Sequence, residues 1–102
     1  MTEAELQQAV IDLSRRAGFM HFHDNDPRRN RPGWPDLVLL HTTTGRLIFI
    51  ELKSDKGRVS PEQHVWMRLL DMHHEVYLWR PIHWTDGTIR RVLSEGRAAN
   101  VA

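Results

Sequence analysis

Residues 35–53 read Pro-Asp-Leu-Val-Leu-Leu-His-Thr-Thr-Thr-Gly-Arg-Leu-Ile-Phe-Ile-Glu-Leu-Lys. Two apolar runs, Pro35 to His41 and Arg46 to Lys53, flank Thr42-Thr43-Thr44-Gly45, which suits a hairpin connection. Both runs are apolar enough to lie centrally in a sheet. Side chains alternate along a strand, so Phe49, Glu51 and Lys53 share one surface and Ile48, Ile50 and Leu52 the other. A carboxylate and an ammonium so close to an apolar strand need a reason, because burying either unpaired costs several kcal/mol.

Upstream of the hairpin, Leu6, Val10, Leu13 and Ala17 recur at three- and four-residue spacing and describe one face of a helix from Glu3 to Ala17. Thr2 fits its N-cap with Glu5 three residues later, and Gly18 its stop. Phe19 to His23 alternates as a half-buried strand does. Asp24 to Trp34, with Asn25, Pro27, Asn30, Pro32 and Gly33 among Arg28, Arg29 and Arg31, reads as a polar loop whose arginines either clamp phosphates or face solvent.

Downstream, Ser54 to Val59 is a polar loop. Ser60-Pro61-Glu62-Gln63 then opens a helix with an N-cap serine, a proline at the first position and a glutamine at the third. Glu75 to Trp79 reads as a fourth strand, broken by Pro81, and Thr85 to Leu93 as a short last helix. The expected order is helix, three strands, helix, strand, helix: an α/β domain with a small mixed four-stranded sheet flanked by helices. With 102 residues, the chain is expected to be a single domain spanning 1–102.

Composition narrows the function classes. The hydrophobic fraction of 40% and charged fraction of 26% are ordinary for a globular chain. No apolar run approaches the roughly 20 residues that span a bilayer, and the N-terminus lacks the pattern of a signal peptide, so the expectation is a cytoplasmic protein with no membrane partner. Without cysteine, protein ligands for a metal are limited to carboxylates, histidines and carbonyls, which favours a hard ion. The net charge of +1 decides nothing, but the basic residues are twelve arginines and only Lys53 and Lys56. A strand lysine in an arginine-preferring chain invites a functional question.

Asp36 opens the strand next to Glu51, and the hairpin can bring the two together. Paired carboxylates with a main-chain carbonyl form an all-oxygen site suited to Mg²⁺ or Mn²⁺, beside which a lysine can orient water and offset charge on a phosphate. The plainer reading is an ion pair of Lys53 with Glu51 or Asp36. His21 and His23 with Asp24 look like a metal cluster, yet a surface or phosphate-contacting role fits them better. Of the tryptophans, Trp66 and Trp79 fall at core positions, while Trp34 is placed to stack on a base or sugar.

Gly33-Trp34-Pro35-Asp36, Ile50-Glu51-Leu52-Lys53, Gly57-Arg58-Val59-Ser60-Pro61, and Gln63 with Trp66 together resemble the VRR-NUC (virus-type replication-repair nuclease) branch of the PD-(D/E)xK nucleases. The resemblance runs from the first helix to about Leu93. It implies a restriction-endonuclease-like core and a Mg²⁺- or Mn²⁺-dependent DNA nuclease with Asp36, Glu51, Lys53 and Gln63 in its active site. The implied metal ligands are Asp36, Glu51 and the Leu52 carbonyl, with an acid from the first helix. Glu3 is the choice for that acid because it lies on the Leu6/Val10 side. Arg28, Arg29, Arg31, Trp34 and Arg58 would contact DNA. Gln63 alternatively caps its own helix. Short stand-alone members resembling this chain act on branched DNA, including Holliday junctions, as dimers, so a homodimer is expected. The rival reading is a nucleic-acid-binding module that keeps the fold without turnover.

Overall fold

The structure, a computed structural model, describes residues 1–23 and 32–95. Helix α1 spans Glu3–Arg16, followed by strands β1 (Phe19–His23), β2 (Leu37–His41) and β3 (Leu47–Leu52), helix α2 (Pro61–Asp71), strand β4 (Glu75–Trp79) and helices α3 (Pro81–Thr85) and α4 (Thr88–Ser94). The sheet runs in the order β1-β2-β3-β4, with β2 antiparallel to both neighbours and β3 parallel to β4. This is the expected mixed four-stranded α/β arrangement, with the two most apolar strands at its centre.

Local chemistry accounts for the helix starts. Thr2 Oγ1 accepts the Glu5 amide at 3.1 Å while the Thr2 amide donates to the Glu5 carboxylate at 2.8 Å, closing the capping box. The C-terminal reading needs correction. Pro81 does not simply end β4. It sits at the first position of α3, where a missing N–H costs nothing, and Gly87 at φ 85° separates α3 from α4. Two short helices therefore stand where one was expected.

The core lies on one side of the sheet. Leu37, Leu39, Ile48, Ile50, Leu52 and Trp79 pack there against Leu6, Val10 and Ile11 of α1 and Ile89 and Leu93 of α4. The opposite side carries Phe49 and Glu51 and is partly covered by α2. At the far end of β3, buried Arg46 forks onto Glu75 at 2.9 and 2.5 Å and donates to the Val92 and Glu95 carbonyls at 2.9 and 2.7 Å, joining β3, β4 and α4.

Candidate active site

Three segments converge at the C-terminal end of β3. The first is the entry to β2, where Gly33 adopts φ 93°. A Cβ at Gly33 would lie 2.5 Å from the Glu62 carbonyl group, so only glycine lets this loop lie directly on the first turn of α2. Trp66 donates its indole N–H to the Pro32 carbonyl at 3.0 Å, and Trp34 packs edge-on against Trp66 and Phe49 at ring separations of 5.1 and 5.8 Å. Trp34, read from the sequence as a base contact, thus spends much of its half-buried ring on packing that seats the loop.

Asp36 follows. Leu37 faces Ile50 in the antiparallel register, and one step further sets Asp36 opposite Glu51. Its Oδ2 accepts the Leu52 amide at 2.9 Å, which ties the carboxylate to the end of β3.

Glu51 is 1% exposed. Its Oε1 accepts a hydrogen bond from Gln63 Nε2 at 2.8 Å, and its Oε2 is buried with no donor. Burial pushes its pKa up to about 9; a hydrogen bond shared with Asp36 and repulsion from Asp36 and, less, Glu3 add to this, while Lys53 opposes it. Without a cation the two carboxylates are therefore biased toward holding one proton between them.

Gln63 makes the helix cap and also reaches Glu51. Its amide oxygen accepts the Ser60 N–H at 2.8 Å, closing the α2 capping box, and this turns its NH₂ toward Glu51. Lys53 is half-buried just beyond β3, its amide bound to the Trp79 carbonyl at 3.1 Å. Among the described residues its ammonium makes no ion pair, so it acts on Glu51 and Glu3 through space.

Glu3 and Glu5 separate clearly. Glu5 is occupied by the Thr2 cap, which lowers its pKa, chiefly through the backbone hydrogen bond. The Glu3 pKa is raised by partial burial and by Asp36 and lowered by Lys53, which places Glu3 in the field of the site. Among the described residues no three His, Asp or Glu side chains gather into a metal cage. His21 and His23 stack at 6.0 Å without a third ligand among the described residues. Arg58 is exposed on the loop after Lys53, and Arg28, Arg29 and Arg31 lie outside the described residues.

One residue was not anticipated. Arg80 Nη1 donates to the carbonyls of Ser54 at 2.6 Å and Gly57 at 2.8 Å, so the end of β4 holds the loop that follows Lys53. Only the parallel pairing of β3 with β4, invisible in local sequence, brings them together.

The donor set fits a hard divalent ion. An aspartate and a glutamate face each other with one buried carboxylate oxygen unpartnered, and Mg²⁺ is ordinarily held by one or two carboxylates with water completing its shell. The family model of the VRR-NUC domain matches residues 1–80. The chain belongs to the VRR-NUC domain family. No curated protein and no solved structure matches it. The VRR-NUC match makes this a nuclease-type domain with DNA as the implied substrate, in a family that typically uses divalent metals. It covers α1 through β4 with Glu3, Asp36, Glu51, Lys53 and Gln63, leaving α3 and α4 outside.

Proposed function

We propose that the chain is a Mg²⁺- or Mn²⁺-dependent DNA nuclease of the PD-(D/E)xK type, acting in the cytoplasm as a homodimer on branched DNA. The observation that carries this reading is Glu51: a carboxylate 1% exposed, beside a second carboxylate, with Oε2 given no donor. Burying such a group costs several kcal/mol unless a proton or a cation neutralises it, and a purely structural glutamate would have its partner in the fold.

Asp36, Glu51 Oε2 and the Leu52 carbonyl would hold the ion, with Glu3 lending charge from α1. When bound, the ion supplies Lewis-acid activation of water and of a non-bridging phosphate oxygen. Gln63 fixes the Glu51 rotamer by holding Oε1 and leaves Oε2 free. Lys53, one alternate position beyond Glu51, orients the attacking water and offsets the negative charge that builds on the phosphate. Hydrolysis adds one water: its oxygen bonds to phosphorus, the P–O ester bond breaks, and the departing sugar oxygen ends protonated. Arg28, Arg29, Arg31 and Arg58 hold phosphates, and the exposed part of Trp34 meets a base or sugar.

Incubation of the pure protein with linear duplex, flap and four-way DNA in Mg²⁺, Mn²⁺ or chelator tests this. The expected result is metal-dependent cleavage that favours branched substrates and disappears in Asp36→Asn. DNA binding without cleavage in either metal would overturn the reading in favour of a non-catalytic binding module.

A further inference from the structure

We infer that Arg80 is a positioning residue for Lys53, holding closed the turn that packs against the lysine's alkyl stem; this rests on the nuclease reading above. Arg80 Nη1 donates to Ser54 O at 2.6 Å and Gly57 O at 2.8 Å, with a longer approach of 3.4 Å to Asp55 O. A single guanidinium nitrogen thus gathers three carbonyls of one turn, which the Gly57 amide closes onto Ser54 O at 3.3 Å. The inner side of that turn touches the site. A Cβ at Gly57 would stand 3.0 Å from Ser54 Oγ and 3.4 Å from Lys53 Cδ, so the glycine backbone bounds the space open to the lysine stem.

Arg80 reaches the turn from a fixed base. The Trp79 carbonyl before it receives the Lys53 amide at 3.1 Å, and the Arg80 amide donates to His83 Nδ1 at 2.9 Å at the start of α3. The Lys53 ammonium has no ion-pair partner among the described residues to fix it, so its stem and the turn over that stem set its direction. A displacement of about 1 Å in a reacting group costs on the order of 100-fold in rate, which makes the rigidity of this turn matter to turnover.

The test compares Arg80→Ala, Arg80→Lys, Lys53→Met and the Arg80→Ala/Lys53→Met double variant in the full chain. Arg80→Ala is expected to lower kcat by roughly 30- to 100-fold, leaving KM for DNA and the Mn²⁺-induced rise in Tm close to wild type. Arg80→Lys should recover part of the loss. In the Lys53→Met background Arg80→Ala should cost little more, because both changes remove the same interaction. Hydrogen exchange at the Gly57 amide should accelerate in Arg80→Ala. A full additional loss on top of Lys53→Met would overturn the inference, since Arg80 would then act on the substrate independently of Lys53; so would unchanged kcat. If wild type cleaves nothing, the nuclease reading alone fails, and Gly57 exchange still decides whether Arg80 holds the turn: unchanged protection overturns that.

Discussion

Gln63 joins the start of α2 to Glu51: its amide oxygen takes the Ser60 N–H and its amide nitrogen donates to Glu51 Oε1, both at 2.8 Å. The helix cap thereby fixes which atom of the amide faces the carboxylate. Gln63→Ala removes both bonds, costing about 1 kcal/mol for the cap and about 1–3 kcal/mol for the buried oxygen left without its donor. Urea unfolding should therefore show a loss of about 2–4 kcal/mol. Gln63→Glu keeps the cap acceptor but sets a third carboxylate against the pair, so it should lower the Tm of metal-free protein and enlarge the rise produced by Mn²⁺. Full retention of stability by Gln63→Ala would mean that the two bonds contribute nothing.

Asp36→Asn is expected to raise the Tm of metal-free protein, or at least leave it unlowered, while abolishing cleavage. The asparagine oxygen can still accept the Leu52 amide, the carboxylate that helps keep a proton on the pair is gone, and the new NH₂ can donate to Glu51 Oε2. In wild type, Mn²⁺ should raise Tm by binding the folded state, and in Asp36→Asn that increment should largely vanish. Destabilisation with an undiminished metal response would remove Asp36 from the ligand set.

The raised pKa of Glu51 has a stability signature whose sign is opposite to that of a salt-bridged acid. The unfolded chain releases the proton near 4.5 and the folded chain near 9, so between these values the folded state holds more protons. Metal-free stability from this group is therefore fully present below about pH 4.5, falls as pH rises toward 9, and is level beyond. In chelator, wild type should lose stability from pH 5 to 8 relative to Glu51→Gln, which cannot titrate there. Parallel pH profiles of the two proteins would show that the pair carries no such proton.

How much of this was legible depends on the range of each interaction. The hairpin and the two faces of β3 follow from period-two alternation, which needs no partner to be read; Ile48, Ile50 and Leu52 are fully buried and Glu51 lies on the other side with Phe49. Asp36 opposite Glu51 follows from the hairpin register. Gln63 is ambiguous because a capping box and a site glutamine call for the same residue at the same place, and here one side chain both caps α2 and bonds to Glu51. Pro81 was misread because a proline that ends a strand and one that starts a helix look alike. Arg80 and Arg46 were out of reach: Arg80 meets carbonyls 23 to 26 positions upstream, and Arg46 meets Glu75 at a separation of 29, both through pairing that local sequence does not encode.

The dimer prediction can be assigned to a surface. In register, Met20 faces Leu40, which faces Leu47, and Phe22 faces Val38, which faces Phe49. Phe49, at the end of one row, is covered by Trp34 and His74. Met20, Phe22 and Leu40 stay 61, 59 and 42% exposed, while Val65 and Leu69 of α2 and Met72 at its C-cap are 48, 54 and 66% exposed. These six side chains expose on the order of 600 Å² of mostly apolar surface, divided between the sheet face and the side of α2 opposite Gln63, Trp66 and Leu70. Facing a second copy, they would bury roughly 1,200 Å² in total, the lower bound for a specific interface. A two-fold pair is expected, because closed two-fold dimers are the commonest assembly and a chain of net charge +1 does not repel its twin. Wild type should sediment as a dimer at tens of micromolar, and Leu69→Glu together with Met20→Lys should yield a folded monomer. The substituted positions are already exposed, so the folded state should lose little stability of its own. A wild-type monomer with and without DNA would overturn both the assembly and its assignment to this face, and a double variant that remains dimeric would move the interface elsewhere.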